Sequence, residues 1–149
     1  MANTDLFKQK APVVMRSLID DFELEVVHAA GILGNIGQEC GGFHYLREIG
    51  QPEGKGGYGW AQWTGPRRKT FLQWCQNNGL DWQSDQGNYG YLKDELINTE
   101  KSAIPALLKT TTLVAAVKAF ERNYERAGTP NYKARNQWAT IALAAYNNA

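Results

Sequence analysis

Glu39 is the residue whose surroundings in the sequence most invite chemistry. It closes an apolar stretch, Leu24 to Glu39 (LEVVHAAGILGNIGQE), and Gly41-Gly42 follows almost at once. Val26, Val27, Ala29, Ala30, Ile32, Leu33 and Ile36 leave little polar circumference, so the stretch predicts a central, buried helix. The glycine pair supplies its stop. A carboxylate at that end faces the negative pole of the helix dipole, and burial also disfavours its charge. Both effects favour a carboxyl that keeps its proton near neutrality, as a general acid must. Cleavage of a glycosidic bond needs such an acid, to protonate the leaving oxygen. Position alone does not separate this role from that of a solvated acid in a fraying last turn, the commoner case.

A second group with chemistry to offer is Tyr58-Gly59-Trp60-Ala61-Gln62-Trp63-Thr64, reached through a glycine-rich approach. Glycines let backbone come close to a ligand, and aromatic faces pack well on sugar rings. The Gln62 carboxamide has a donor and an acceptor for hydroxyls or acetamides. The same tryptophans would equally suit a core beneath a tight turn. A two-carboxylate glycosidase needs a second acid within roughly 5–9.5 Å of the first. Glu48 and Glu53 are the candidates, both in a turn-rich stretch where solvated loop acids are the norm.

The elements that must hold these groups follow from periodicity. Phe7, Val14, Leu18 and Phe22 give a helix over Thr4 to Phe22, with Pro12 a point where it breaks or kinks. Asp20, Asp21, Glu23 and Glu25 crowd the start of the apolar helix, where its dipole favours negative charge. Phe43 to Gly59 is an irregular insert, and Tyr58 to Thr64 is a short strand or extended turn. Pro66 and Arg67-Arg68-Lys69 lead into an aromatic helix through Phe71, Leu72, Trp74 and Cys75. Further helices cover Tyr89 to Ile97, Ile104 to Tyr124 as one or two segments, and a last one through Trp138, Ile141 and Tyr146. Gly128-Thr129-Pro130 separates the final two. The fold class is mainly α (α+β), in a single domain spanning 1–149.

Composition narrows the function classes. The 149 residues are 43% hydrophobic and 21% charged, with net charge +1, which gives no support to a nucleic-acid partner. No stretch is both apolar and long enough to span a bilayer, so no stable membrane insertion is expected. Met1 to Lys10 carry no hydrophobic signal region. Cys40 and Cys75 do not make a disulfide framework, and two buried thiols are the favoured assignment.

Two ordered series together carry a specific resemblance. Gly31-Ile32-Leu33-Gly34-Asn35-Ile36-Gly37-Gln38-Glu39, followed by Gly57-Tyr58-Gly59-Trp60-Ala61-Gln62-Trp63-Thr64-Gly65-Pro66-Arg67-Arg68, resembles the phage tail lysozyme family, within the lysozyme-like superfamily. Gln86 to Leu96 (QGNYGYLKDEL), Phe120-Glu121-Arg122 and Ala127-Gly128-Thr129-Pro130 to Arg135 resemble later parts of the same pattern. The resemblance implies a lysozyme-like fold, with a central buried helix and a small turn-rich β insert forming one wall of a cleft. It implies Glu39 as general acid, with Tyr58, Gln62 and Trp63 along the sugar-binding cleft; His44 is a further candidate to line it, because it closely follows Glu39 in sequence. The implied substrate is bacterial peptidoglycan, cut between N-acetylmuramic acid and N-acetylglucosamine, with no metal or organic cofactor and a monomeric enzyme. An endolysin held in the host cytoplasm before release, a component of the phage virion or tail, and a bacterial antibacterial effector are all compatible with that pattern. Aligned with animal lysozymes, Gly57 stands where their second acid does, a departure closer to goose-type lysozymes and lytic transglycosylases. A lytic transglycosylase is therefore one alternative. A non-catalytic wall-binding module is another, though binding alone does not require Glu39.

Other signals are weaker. Gly54, Gly56 and Gly59 fit G-x-G-x-x-G, but no apolar strand precedes them and an aromatic segment follows. Cys40 paired with His28 or His44 would make a peptide-cleaving amidase or endopeptidase. His28 sits about 16 Å before Glu39 along the helix and suits the core better; His44 is expected in solvent. Arg67-Arg68-Lys69 could steer the protein toward an anionic polymer, but is expected to be a solvated face.

Overall fold

The computed structural model describes residues 3–149; Met1 and Ala2, where the segment assessed for a signal region begins, lie outside the described residues. Among these residues the chain is mainly helical. The order is α1 (Asp5–Phe22), α2 (Val26–Cys40), α3 (Gly65–Asn77), α4 (Asp85–Ile97), α5 (Ala103–Leu108), α6 (Leu113–Phe120), a π-helical turn (Glu121–Glu125) and α7 (Tyr132–Asn147). Helix α2 is central, packed against α1, α6 and α7. All of its residues from His28 to Gly37, and Cys40, are buried.

Helix α1 runs through Pro12 without ending there. Proline forfeits one backbone hydrogen bond, but Phe7, Ala11, Val14, Met15 and Leu18 are all buried on one face, and that packing outweighs the local loss. Of the four acids expected at the start of α2, only Glu25 stands there, as its N-cap. Asp20 and Asp21 belong to the last turn of α1, where Asp21 is offset by the Tyr89 hydroxyl at 2.7 Å and Lys93 at 3.4 Å. Helix α4 begins a turn earlier than the apolar pattern suggests, because the Ser84 hydroxyl caps it by accepting the Gly87 N–H.

Close approach between α2 and its neighbours depends on small residues. A Cβ at Gly34 would lie 2.6 Å from the Ala139 Cβ and 2.6 Å from the Arg135 carbonyl oxygen; one at Gly31 would meet Ala116 at 2.7 Å. These contacts bring α7 and α6 onto the buried helix. Gly41 ends α2 in the left-handed conformation, with φ of 57°.

The segment between α2 and α3 is the β insert, and its strands are reduced to bridges. Arg47 pairs with Tyr58, and Tyr58 with Trp63, both antiparallel. Tyr58 and Trp63 exchange both backbone hydrogen bonds, at 3.0 and 2.9 Å, so Tyr58 to Trp63 is a tight hairpin. Gly59 is required within it: φ is +83°, and a Cβ would meet the Asn88 Oδ1 and the Trp63 ring at 2.7 Å. Asn88 on α4 fixes the hairpin from below, its Oδ1 accepting the Trp60 N–H at 2.8 Å.

Candidate active site

Helix α2 delivers Glu39 one residue before its end, to the floor of a cleft of about 630 Å³. The insert contributes Glu48, Gln62 and Thr64 to the lining, the π turn and the loop after it contribute Glu125 and residues 126–129, and α7 contributes Arg135. Side chains therefore converge from four parts of the chain.

Arg135 organises the floor. It is 2% exposed, and its Nη2 donates to Glu39 Oε2 at 2.6 Å. Its Nη1 donates to Asn35 Oδ1 at 3.0 Å, and its Nε to the Pro130 carbonyl. Asn35 and Glu39 are four apart on α2 and share one face. Asn35 in turn donates to the Gly31 and Val117 carbonyls, so one polar chain joins α2, α6 and α7. This guanidinium gives Glu39 a counter-ion from a distant helix.

Glu125 ends the π turn, where one extra residue per turn shifts the backbone before Arg126 takes a φ of 50°. Its Oε1 is buried without a hydrogen-bond partner among the described residues. Burial and the neighbouring Glu39 carboxylate push its carboxyl well above the ordinary range, against the opposing pull of Arg135 and Arg67.

Behind the cleft lies a buried network around Glu95. Its carboxylate accepts two bonds from Arg67, at 2.8 and 3.1 Å. It also accepts from the Trp63 indole at 2.9 Å, the Tyr124 hydroxyl at 2.6 Å and the Tyr91 hydroxyl at 3.0 Å. Burial opposes the charge, but the Arg67, Tyr124 and Tyr91 hydrogen bonds and the Arg67 charge outweigh it and hold the Glu95 pKa below its usual value. This network ties the insert to α3, α4 and the π turn.

The sequence-derived candidates divide accordingly. Glu39, Glu48 and Gln62 line the cleft. Gln62 is half-buried, and its amide nitrogen donates to the Tyr45 and Gly59 carbonyls at 3.2 and 2.9 Å. Trp63 is instead core: it is 1% exposed, with its indole N–H committed to Glu95 and Tyr124. Tyr58 is likewise buried, packed on Trp82 with its hydroxyl taken by the Gly54 N–H. Both rings face inward because hairpin pairing turns them under the insert. Glu53 and His44 are exposed and stand outside the cleft lining. Arg67 is no part of a solvated face, since it is paired with Glu95, while Arg68 donates to the Gly56 carbonyl.

The cysteine alternative fails on chemistry. Cys40 and Cys75 are free and buried. Burial pushes the Cys40 thiol up to about 12 and the Cys75 thiol up to about 11, which leaves no thiolate to attack a peptide. His28 is a core residue whose Nδ1 accepts the Glu25 N–H and whose Nε2 meets the Thr110 carbonyl.

Arg135 and Glu125 went unassigned in the sequence. Arg135 stands at the end of a matched segment and Glu125 between two matched segments, but nothing local marks either as a partner of Glu39.

A buried helix that brings a glutamate to a polar cleft, under a short insert and within a mainly helical frame, defines a lysozyme-like fold. The family model described as phage tail lysozyme matches residues 10–146, and the chain belongs to that family. Membership gives it a peptidoglycan-lytic function at the level of the family and an association with phage. No curated protein matches the chain in sequence. Among the described residues no helix is long and apolar enough to cross a membrane.

Proposed function

We propose that the protein hydrolyses the β-1,4 bond between N-acetylmuramic acid and N-acetylglucosamine of bacterial peptidoglycan, with Glu39 as general acid. The supporting observation is the position of Glu39, at the end of buried α2 and within a polar cleft that Glu48 and Gln62 also line. Glu39 protonates the leaving oxygen as the glycosidic bond breaks. Glu48 accepts the Gly57 N–H through Oε1 at 3.1 Å and the Gln51 amide through Oε2 at 3.4 Å, and the carboxylate so oriented directs a water from the cleft wall. Gln62 reads the sugar from its half-exposed side. Tyr58 and Trp63 support the insert from beneath rather than touching the glycan.

A lytic transglycosylase is the second possibility, and position 57 favours it. A Cβ there would meet the Gln62 side chain at 2.7 Å, so no acid fits where animal lysozymes carry their second one. The substrate's own hydroxyl would then attack in place of water. Digestion of purified peptidoglycan by wild type and Glu39→Gln, with products identified by mass spectrometry, separates the cases. Reducing-end muropeptides that disappear with Glu39→Gln are the expected result. Anhydro ends would assign the transglycosylase, and wall binding without products would leave a binding module. Equal activity in the variant would remove Glu39 from the reaction.

A further inference from the structure

The orphaned oxygen of Glu125 is the feature that the assignment of Glu39 leaves unexplained. It is a buried carboxyl oxygen in the wall of the same cleft, with no donor directed at it among the described residues. The nearby guanidinium groups are directed elsewhere: Arg135 at Glu39, Asn35 and Pro130, and Arg67 at Glu95 and the Tyr124 carbonyl. Arg126, next in sequence, is paired with Glu100. A bare carboxylate oxygen in that position would keep its full desolvation penalty, whereas a protonated carboxyl carries no charge to solvate.

Counting charges around the pair gives the same answer. From α3 and α4, Arg67 and Glu95 neutralise each other in a two-bonded ion pair. From the insert, Glu48 stands at the lining with its carboxylate solvated by two neutral donors, the Gly57 N–H and the Gln51 amide, and it is exposed. That leaves Arg135 of α7 as the cation for two carboxyls, Glu39 of α2 and Glu125 of the π turn, and it bonds Glu39. One cation stabilises one carboxylate, so the second acid keeps its proton.

We infer that Glu39 and Glu125 hold a single proton between them, with Glu125 its resting place while Arg135 is paired with Glu39. The inference rests on Glu39 being the acid of the reaction. Glu125 then acts through Glu39 as a positioning residue for the proton. In the step, the Glu125 O–H proton is relayed to Glu39 by solvent in the cleft that both line, and Arg135 becomes free to balance the new Glu125 carboxylate. Glu39 then gives the proton to the glycosidic oxygen, which leaves with the bonding electron pair as an alcohol. The hydroxyl that attacks the anomeric carbon, from water or from the sugar itself, loses its proton and so restores the pair to its starting charge.

The test is a pH titration of side-chain carboxyls by NMR on protein with carbon-13-labelled glutamate, for wild type, Glu39→Gln and Glu125→Gln. Wild type is expected to keep one protonated carboxyl through neutral pH, absent from Glu125→Gln. In Glu39→Gln the Glu125 midpoint should fall by about one pH unit or more, because the neighbouring charge is gone and Arg135 is free. If Glu125 titrates in the ordinary carboxylate range in wild type, or its midpoint is unmoved by Glu39→Gln, the shared proton is excluded. The Glu39→Gln arm decides the matter even if Glu125→Gln does not fold. These readings do not depend on glycan cleavage, so failure of the proposed reaction and failure of proton sharing are distinguishable. Where cleavage is observed, Glu125→Gln should move the alkaline limb of kcat/KM to lower pH, and Glu125→Asp should restore it in part. An unmoved limb in a folded Glu125→Gln would reject the relay.

Discussion

At the scale of single residues, the pairing of Arg135 with Glu39 explains how one carboxylate at a helix end is kept in a fixed direction. A planar guanidinium bonded to Glu39, Asn35 and the Pro130 carbonyl leaves little freedom to the acid it holds. Glu39→Gln should lower turnover about 10²-fold or more, the usual contribution of a general acid, and should also lower the melting temperature, since it leaves the buried Arg135 guanidinium without its carboxylate. Arg135→Met breaks the same pair from the other side. It strips a partly buried carboxylate of its counter-ion and leaves Asn35 short of a donor, so a loss of about 3 kcal/mol is expected on urea unfolding. A loss below about 1 kcal/mol would mean that Glu39 finds water instead. The two thiols make a simpler case: with both buried, a thiol reagent should modify neither in the native protein and both after denaturation.

At the scale of elements, the site depends on how closely α7 lies against α2. Gly34 faces the Arg135 carbonyl and Ala139, so Gly34→Ala tests that distance directly. Helix propensity alone would favour alanine by about 1 kcal/mol. A Cβ at 2.6 Å from backbone and side chain forces the helices apart, at a typical cost of about 1–3 kcal/mol, so net destabilisation is expected. Because the displaced segment carries Arg135, activity should fall further than the lost stability accounts for. Activity retained in proportion to the folded fraction would show that the site tolerates the shift. The insert is held in another way, by Asn88 from α4 and by Trp63 on Glu95. Its aromatic residues are structural supports for the polar groups that reach the cleft.

At the scale of the whole molecule, the buried Glu95 and the half-buried Glu125, one of whose oxygens is buried, pull stability in opposite directions with pH. The Glu95 pKa is lowered on folding, so its contribution is complete above the unfolded carboxylate range and is lost as pH falls through the depressed value. Glu125 is raised on folding, so its contribution is complete in acid and is lost as pH rises through the elevated value. Thermal melts across pH should therefore show wild-type stability declining on the alkaline side, and Glu125→Gln should flatten that decline. An identical alkaline slope in both proteins would contradict a neutral Glu125 in the folded state.

The central helix, its stop and the acid at its end are legible before folding, because these are local properties of a run of apolar residues, a dipole and Gly41-Gly42. The order of its motifs also made the resemblance to the family legible. Short aromatic runs read less well: Tyr58 and Trp63 suit a cleft or a core equally until hairpin pairing fixes which way each ring turns. The company Glu39 keeps is set by the folded chain alone. Arg135 lies 96 residues further on, and Glu125 reaches the cleft through a π turn that no pattern announces. Charge balance in a buried site is a sum over groups from distant segments, so no window of the sequence contains it.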